Sequence, residues 1–242
     1  MRAHRESKPG RAKSRSDQRI ALFGGTFDPI HTGHLAVARA AVQRFRLDRV
    51  YFIPCGRPPH KKSANLAPFP HRYAMVALAC AGEPRFIPSL AEAGKDMAGQ
   101  EIFYSVDTVR RFRRQASRRG DHLYFLMGAD SFLHIREWHT PSKLLMLCDF
   151  IVASRPGFPS AALQRAVPEE LQVEPDARKE AFTLRPRRAA SSQSTSVYLL
   201  DAVASHVSAT EVRWRLDNAR PIRGLVPARV EEYISLQGLY QR

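Results

Sequence analysis

The chain has 242 residues, 44% of them hydrophobic, enough to bury one substantial core and, by default, to fold as a single domain. No apolar run approaches the about 20 residues of a membrane-spanning helix, and the basic N-terminus lacks the apolar stretch of a secretory signal, so a cytoplasmic protein with no membrane partner is expected. A net charge of +15 fits a handler of polyanions, nucleic acid or nucleotide triphosphate alike, while Cys55, Cys80 and Cys148, odd in number and without C-x-x-C spacing, argue against a disulfide framework or a zinc knuckle.

Residues 1–18 carry much of the basic excess, including Arg2, Arg5, Lys8, Arg11, Lys13 and Arg15 against Glu6 and Asp17. They show no apolar periodicity and are expected to be a disordered, solubilising arm, with residues 19–242 forming one folded unit. Arg19 to Phe23 is a short apolar run closed by Gly24 and Gly25, the pattern of a buried parallel strand. Gly33 to Phe45 places Leu35, Ala38, Val42 and Phe45 at helical spacing, and Val50 to Pro54 reads as a second strand, completing a βαβ unit. A long Pro-, Lys- and Gly-rich loop from Cys55 to Pro70 precedes a helix over His71 to Ala81. The alternation continues with strands near Arg85 to Pro88, His122 to Met127 and Phe150 to Ala153, and helices from Ser105 and after Pro141. From residue 157 to 196 the pattern dissolves into a polar stretch with Pro159, Pro168, Pro175 and Pro186, read as an insertion without assigned chemistry, in which Pro168 to Leu171 can start a short helix. A last strand at Val197 to Leu200 and helices at Ala209 to Leu216 and Pro227 to Leu236 finish the chain. The fold expected is α/β, a Rossmann-like open, mostly parallel sheet with helices on both faces and its ligand site beyond the carboxyl ends of the strands.

The chemistry concentrates in Gly24-Gly25-Thr26-Phe27-Asp28-Pro29-Ile30-His31-Thr32-Gly33-His34, between a buried strand and a helix start. Glycines let backbone approach a phosphate, and the N–H groups and dipole at a helix N-terminus favour an anion. His31 and His34, three apart, can face one ligand on the first helical turn and donate to the oxygens of a reacting phosphate. A plain tight turn or a metal-binding histidine pair are the competing readings, but no third ligand at metal-site spacing stands nearby and no protein-held metal is expected. Neither G-x-x-x-x-G-K-[ST] nor G-x-G-x-x-G occurs.

Gly24 to His34 resembles the GGTFDPxHxGH signature of the nucleotidyltransferase superfamily with the (H/T)xGH motif, in the form found in bacterial nicotinate mononucleotide adenylyltransferases. Further segments agree in order: Pro58-Pro59-His60-Lys61, Gly128-Ala129-Asp130 with Trp138, Arg155-Pro156-Gly157, Ser208-Ala209-Thr210-Glu211-Val212-Arg213, and the ending Tyr233-Ile234 to Gly238-Leu239-Tyr240. The resemblance covers most of Arg19 to Tyr240 and leaves out the basic arm and much of the polar stretch.

Several of these segments also have physical readings of their own. Ser208 and Thr210 open a helix, where hydroxyls cap N–H groups or donate to phosphate, and Arg213 one turn on can reach the same anion. Lys61 on a proline-stiffened loop can offset phosphate charge, and Asp130, just past a strand, stands where a carboxylate meets ribose hydroxyls or caps a helix. The resemblance implies more. It places Gly24, Gly25, Thr26, Phe27, Gly33, Gly128, Asp130, Arg155, Ser208 and Thr210 around ATP, and Asp28, His60, Lys61, Tyr104, Ser105 and Trp138 around nicotinate mononucleotide. His31, His34 and Arg213 are left to the reacting phosphates, with magnesium arriving on ATP. Where the family's pattern is SYTxDT the chain has Phe103-Tyr104-Ser105-Val106-Asp107-Thr108, and His139 and Ala209 also depart from it, which puts hydroxyl contacts rather than backbone contacts in doubt. The reaction expected is AMP transfer from ATP to nicotinate mononucleotide. A sister enzyme acting on nicotinamide mononucleotide or phosphopantetheine, and a non-enzymatic RNA-binding protein, remain as alternatives, nucleic acid being the weaker partner because no RNP or KH motif is present. The sequence leaves a homo-oligomer open.

Overall fold

A computed structural model describes residues 17–57, 66–95, 97, 101–154, 158–176, 180–187, 193–201 and 207–241; the expected disorder of the arm falls on residues 1–16, outside the described residues. The element order is β1 (Arg19–Gly25), α1 (Thr32–Phe45), β2 (Arg49–Pro54), α2 (Phe69–Cys80), β3 (Phe86–Pro88), α3 (Ser105–Ser117), β4 (His122–Gly128), α4 (Ala129–Leu133), α5 (Pro141–Leu145) and β5 (Asp149–Ala153). It continues with α6 (Ser160–Ala166), β6 (Leu171–Asp176), β7 (Ala181–Pro186), β8 (Thr195–Leu200), α7 (Ala209–Asp217) and α8 (Ala228–Leu236).

These strands form one eight-stranded sheet in the order β3-β2-β1-β4-β5-β8-β7-β6. The first six are mutually parallel, and β7 and β6 join antiparallel at the far edge. β1 is an interior strand, Leu22 standing opposite Tyr51 on one side and Phe125 on the other, and it is apolar at consecutive positions rather than at alternate ones because both of its faces are covered. Period-two alternation divides its side chains between two cores. Ala21 and Phe23 face the layer of α1, α2, α7 and α8, whereas Ile20 and Leu22 face α3, α4, α5 and α6. Helices therefore cover both faces. Between β1 and β4 the order reverses direction, and at such a switch point the loops leaving the two strands part to open a crevice at the carboxyl edge.

The polar stretch is more ordered than its composition suggests. Helix α6 occupies Ser160–Ala166, and Leu171, where a short helix was expected to form, instead opens β6. β7 anchors this edge: Phe182 and Leu184 are buried in the second core, with Phe182 edge-on to Phe132 at 6.5 Å. Phe182→Ala is expected to cost about 3 to 5 kcal/mol in a urea titration, the range for truncating a buried aromatic. A loss under about 1 kcal/mol would show that the hairpin adds nothing to the core.

Candidate active site

The crevice is built from the turn after β1. A Cβ on Gly25 would lie 3.0 Å from the ring of Phe27, a tight contact, so glycine gives that ring room to fold back under the strand end. Phe27 adopts φ 48, an uncommon conformation for a bulky side chain, and its ring fills the space between Phe23, Phe52 and His34 at centroid distances of 5.6, 5.8 and 5.0 Å. Anchoring Phe27 in the core leaves the intervening backbone to line the opening.

His31 is the N-cap of α1, and its backbone N–H donates to Nδ1 of His34 at 3.2 Å. The two rings stack at 3.7 Å. Burial pushes His31 down to about 4 and, together with the neighbouring His31, holds His34 well below the usual imidazole range, so both are neutral at pH 7. With Nδ1 accepting, the His34 proton sits on Nε2, which makes that atom the donor and removes Nδ1 as a metal ligand. Nδ1 of His31 is buried without a partner among the described residues.

Opposite stand the ends of β4 and β5. Together the walls enclose a cavity of about 660 Å³, lined among others by Gly24, Thr26, Gly33, Gly128, Asp130 and Arg213. Gly128 has φ −78 and ψ 153, a conformation open to any residue, and beyond its chain neighbours no atom of the described residues lies within 4 Å of where its Cβ would be. Ser154, at the end of β5, lines the same space with a buried Oγ that has no partner among the described residues. Sequence reasoning missed Ser154, since a serine after a strand carries no signal of its own.

One further residue missed in the sequence, Arg72, supports this turn together with Asp28, which the resemblance assigned to the mononucleotide. Arg72 on α2 is 2% exposed and donates to four carbonyls: Ala67 at 3.0 Å, Thr26 at 2.8 Å, Cys55 at 2.7 Å and Gly56 at 2.9 Å. Asp28 is equally buried; its Oδ1 accepts from the Ala67 N–H at 3.1 Å and the Tyr240 hydroxyl at 2.6 Å. Arg213 donates from Nη1 to the Asp28 carbonyl at 2.5 Å and lies 3.8 Å from Oδ2 of the same residue. That fixes the guanidinium at the cavity wall.

The other expected residues divide. Ser208 accepts from the Glu211 N–H at 3.1 Å, so its hydroxyl caps α7; Thr210 is exposed on the first turn, and Ala209 between them lines the cavity. Tyr104 stacks on His139 at 4.1 Å, and Trp138 packs edge-on against Phe125 at 6.3 Å; like Ser105, neither lines this cavity. His60, Lys61 and Arg155 lie outside the described residues. Arg72→Met is expected to destabilise by about 3 kcal/mol or more in chemical denaturation, because buried carbonyls lose their donors, and Arg72→Lys to recover only part, since one ammonium cannot span them. Full stability in Arg72→Met would show that water satisfies those carbonyls.

Comparison with known proteins places this geometry. The signature of the cytidylyltransferase-like family matches residues 22–215. The chain is 40% identical over 223 residues to a probable nicotinate-nucleotide adenylyltransferase of Moorella thermoacetica, covering 92% of each chain. It is 38% identical over 224 residues to one of Geobacter sulfurreducens, covering 92% of this chain and 98% of that one. Among solved structures it resembles the Plasmodium falciparum nicotinic acid mononucleotide adenylyltransferase complexed with NaAD, with a TM-score of 0.67 and 18% identity over 92% of this chain and 97% of that one, a likeness of fold. The chain therefore belongs to the cytidylyltransferase-like family, in the branch of the nicotinate-nucleotide adenylyltransferases.

Proposed function

We propose that the protein transfers AMP from magnesium-ATP to nicotinate mononucleotide, releasing pyrophosphate and nicotinate adenine dinucleotide. The observation that carries this reading is a switch-point cavity in which neutral His31 and His34, the Arg213 guanidinium and a buried Ser154 hydroxyl without a partner among the described residues converge. Buried polar atoms without partners are costly, and a phosphate-bearing ligand supplies what they lack. The relatives' names point to the same substrate, and the Plasmodium neighbour is complexed with NaAD.

A phosphate oxygen of the mononucleotide attacks the α-phosphorus of ATP in line; the bond from that phosphorus to the bridging oxygen breaks, and pyrophosphate leaves. No protein nucleophile takes part. The chain's contribution is to hold two anions in line and to stabilise charge on the crowded phosphorus. Nε2–H of His34 and the ring of His31 donate to the α-phosphate; being uncharged, they leave the electrophile its own polarity until charge develops. Arg213 and the start of α7 hold the departing pyrophosphate, while Gly24, Gly25, Thr26, Phe27 and Gly33 shape the triphosphate bed. Asp130 takes the ribose hydroxyls, and Arg155 the adenine end. His60, Lys61, Tyr104, Ser105 and Trp138 form the mononucleotide side of this proposal, and Asp28 serves it by holding the turn. Magnesium enters as part of the nucleotide substrate. No helix among the described residues is long and apolar enough to cross a membrane, and action in the cytoplasm completes the proposal.

Pyrophosphate release with ATP, magnesium and each mononucleotide tests the reading. Nicotinate mononucleotide is expected to be preferred over its amide by on the order of 10² in kcat/KM, because a carboxylate accepts from two backbone donors where a carboxamide leaves one unpaired. Equal rates would move the chain to a dual-specificity branch, and no release with either would refute the reading. His34→Ala is expected to lower kcat by roughly 10² while KM for ATP stays within a few-fold, as for loss of a donor that acts in the transition state. A raised KM with unchanged kcat would place His34 in ground-state binding instead.

A further inference from the structure

Glu92 is a buried carboxylate that the chemistry above does not use. It lies in the loop after β3, 7% exposed, and its Oε1 accepts from the Thr108 hydroxyl at 2.8 Å. The Gly56 N–H and the Arg111 guanidinium on α3 also face it, and both favour its ionised form. The approach of Gly56 is close: a Cβ there would lie 2.6 Å from the Glu92 carbonyl oxygen, 3.0 Å from that of Glu101 and 3.3 Å from the ring of Phe103. The loop after β2, the loop after β3 and the first turns of α3 thus meet on one side chain. Tyr104 is the N-cap of α3 and Ser105 its first residue, one turn before Thr108. Gly56 is held from its other side by Arg72, which also fixes Thr26, so the start of α3 is the partner that depends on Glu92. Neither Glu92 nor Gly56, Thr108 or Arg111 lines the cavity of His31, His34 and Arg213.

We propose that Glu92 is a positioning residue, whose carboxylate docks the start of α3 against the loop after β2 and thereby sets affinity for nicotinate mononucleotide but not for ATP. The inference rests on the reading of Tyr104 and Ser105 as part of the mononucleotide side. Its physical basis is a count of donors. An ionised carboxylate accepts from Thr108 and leaves its other lone pairs to the Gly56 N–H that faces it, whereas a neutral acid must turn its own proton toward one of them, reversing the Thr108 hydroxyl or losing that bond. Burial raises Glu92 to about 7, against the opposing pull of Thr108, Arg111 and Gly56, so the two forms exchange within the working pH range of most enzymes.

Steady-state kinetics of the whole protein, varying one substrate with the other saturating, tests this at pH 6 and pH 8. Glu92→Gln reproduces the neutral acid. It is expected to raise KM for nicotinate mononucleotide by roughly tenfold at pH 8, the effect of weakening hydrogen bonds to a charged acceptor, with kcat and KM for ATP within about twofold. At pH 6 the ratio of mutant to wild-type KM should approach one, because wild-type Glu92 is then itself neutral; taking the ratio cancels the titration of the substrate phosphate. Thr108→Val, which removes only the hydroxyl, should raise the same KM by a smaller factor, and it carries the test should Glu92→Gln fail to fold by circular dichroism. KM values that rise together for both substrates, a ratio that is the same at both pH values, or unchanged KM in both variants would overturn the role of Glu92. A wild-type protein that releases no pyrophosphate with nicotinate mononucleotide would instead overturn the substrate reading, and this inference with it.

Discussion

Burying a guanidinium is tolerable only when its N–H groups find acceptors, and Arg72 meets that condition with the carbonyls of the loops that build the cavity floor. Desolvation lowers its pKa from the usual arginine value, while the fields of Cys55, Asp28 and Tyr240 act in the opposite direction. The outcome is a rigid joint between the turn after β1 and the loop after β2. The wall that carries Arg213 is positioned from that joint. Asp28 is tied to Ala67, Arg213 is tied to Asp28, and the tail of the chain returns through Tyr240 to close the cluster.

Above this joint the site is held short of satisfaction. His31 Nδ1, Asp28 Oδ2 and Ser154 Oγ are buried without hydrogen-bond partners among the described residues, a burden a protein of marginal stability tolerates only where something else is gained. The histidines are the clearest instance. Their stacked rings and the hydrogen bond from the His31 N–H to Nδ1 of His34 orient them while burial keeps them neutral, so in the proposed reaction their donors are in place before charge appears on a phosphate. Preorganisation of this kind works only where water is scarce, and the burial that depresses the histidines is also what makes each of their hydrogen bonds stronger.

The two sides of the proposed reaction are served by different parts of the fold. The phosphate side is built on the ends of β1, β4 and β5 and on α7, elements packed through the central core. The mononucleotide side hangs on shorter supports, the start of α3 and the loops around Gly56 and Glu92.

The sequence alone determined the order and type of most elements, because the periods of strand and helix are local. Ile20 to Phe23 reads as a buried strand, and Leu35, Ala38 and Val42 as one helical face, without reference to anything distant. It also singled out the start of α1 as a candidate anion site, since glycines, histidines and a helix start adjoin within eleven residues from Gly24 to His34. The hairpin of β6 and β7 escaped because a sheet edge buries little, and half-exposed strands carrying Pro175 and Pro186 look like loops. Only the tertiary structure could decide that Arg72 reaches Thr26, 46 residues away, and that Tyr240 reaches Asp28 across 212. It alone showed that the Ser208 hydroxyl caps a helix and that Glu92 is buried. Periodicity reports which face of an element is apolar, but a polar side chain gives no sign of whether it meets water or the far end of the chain, and that is settled only when the layers pack.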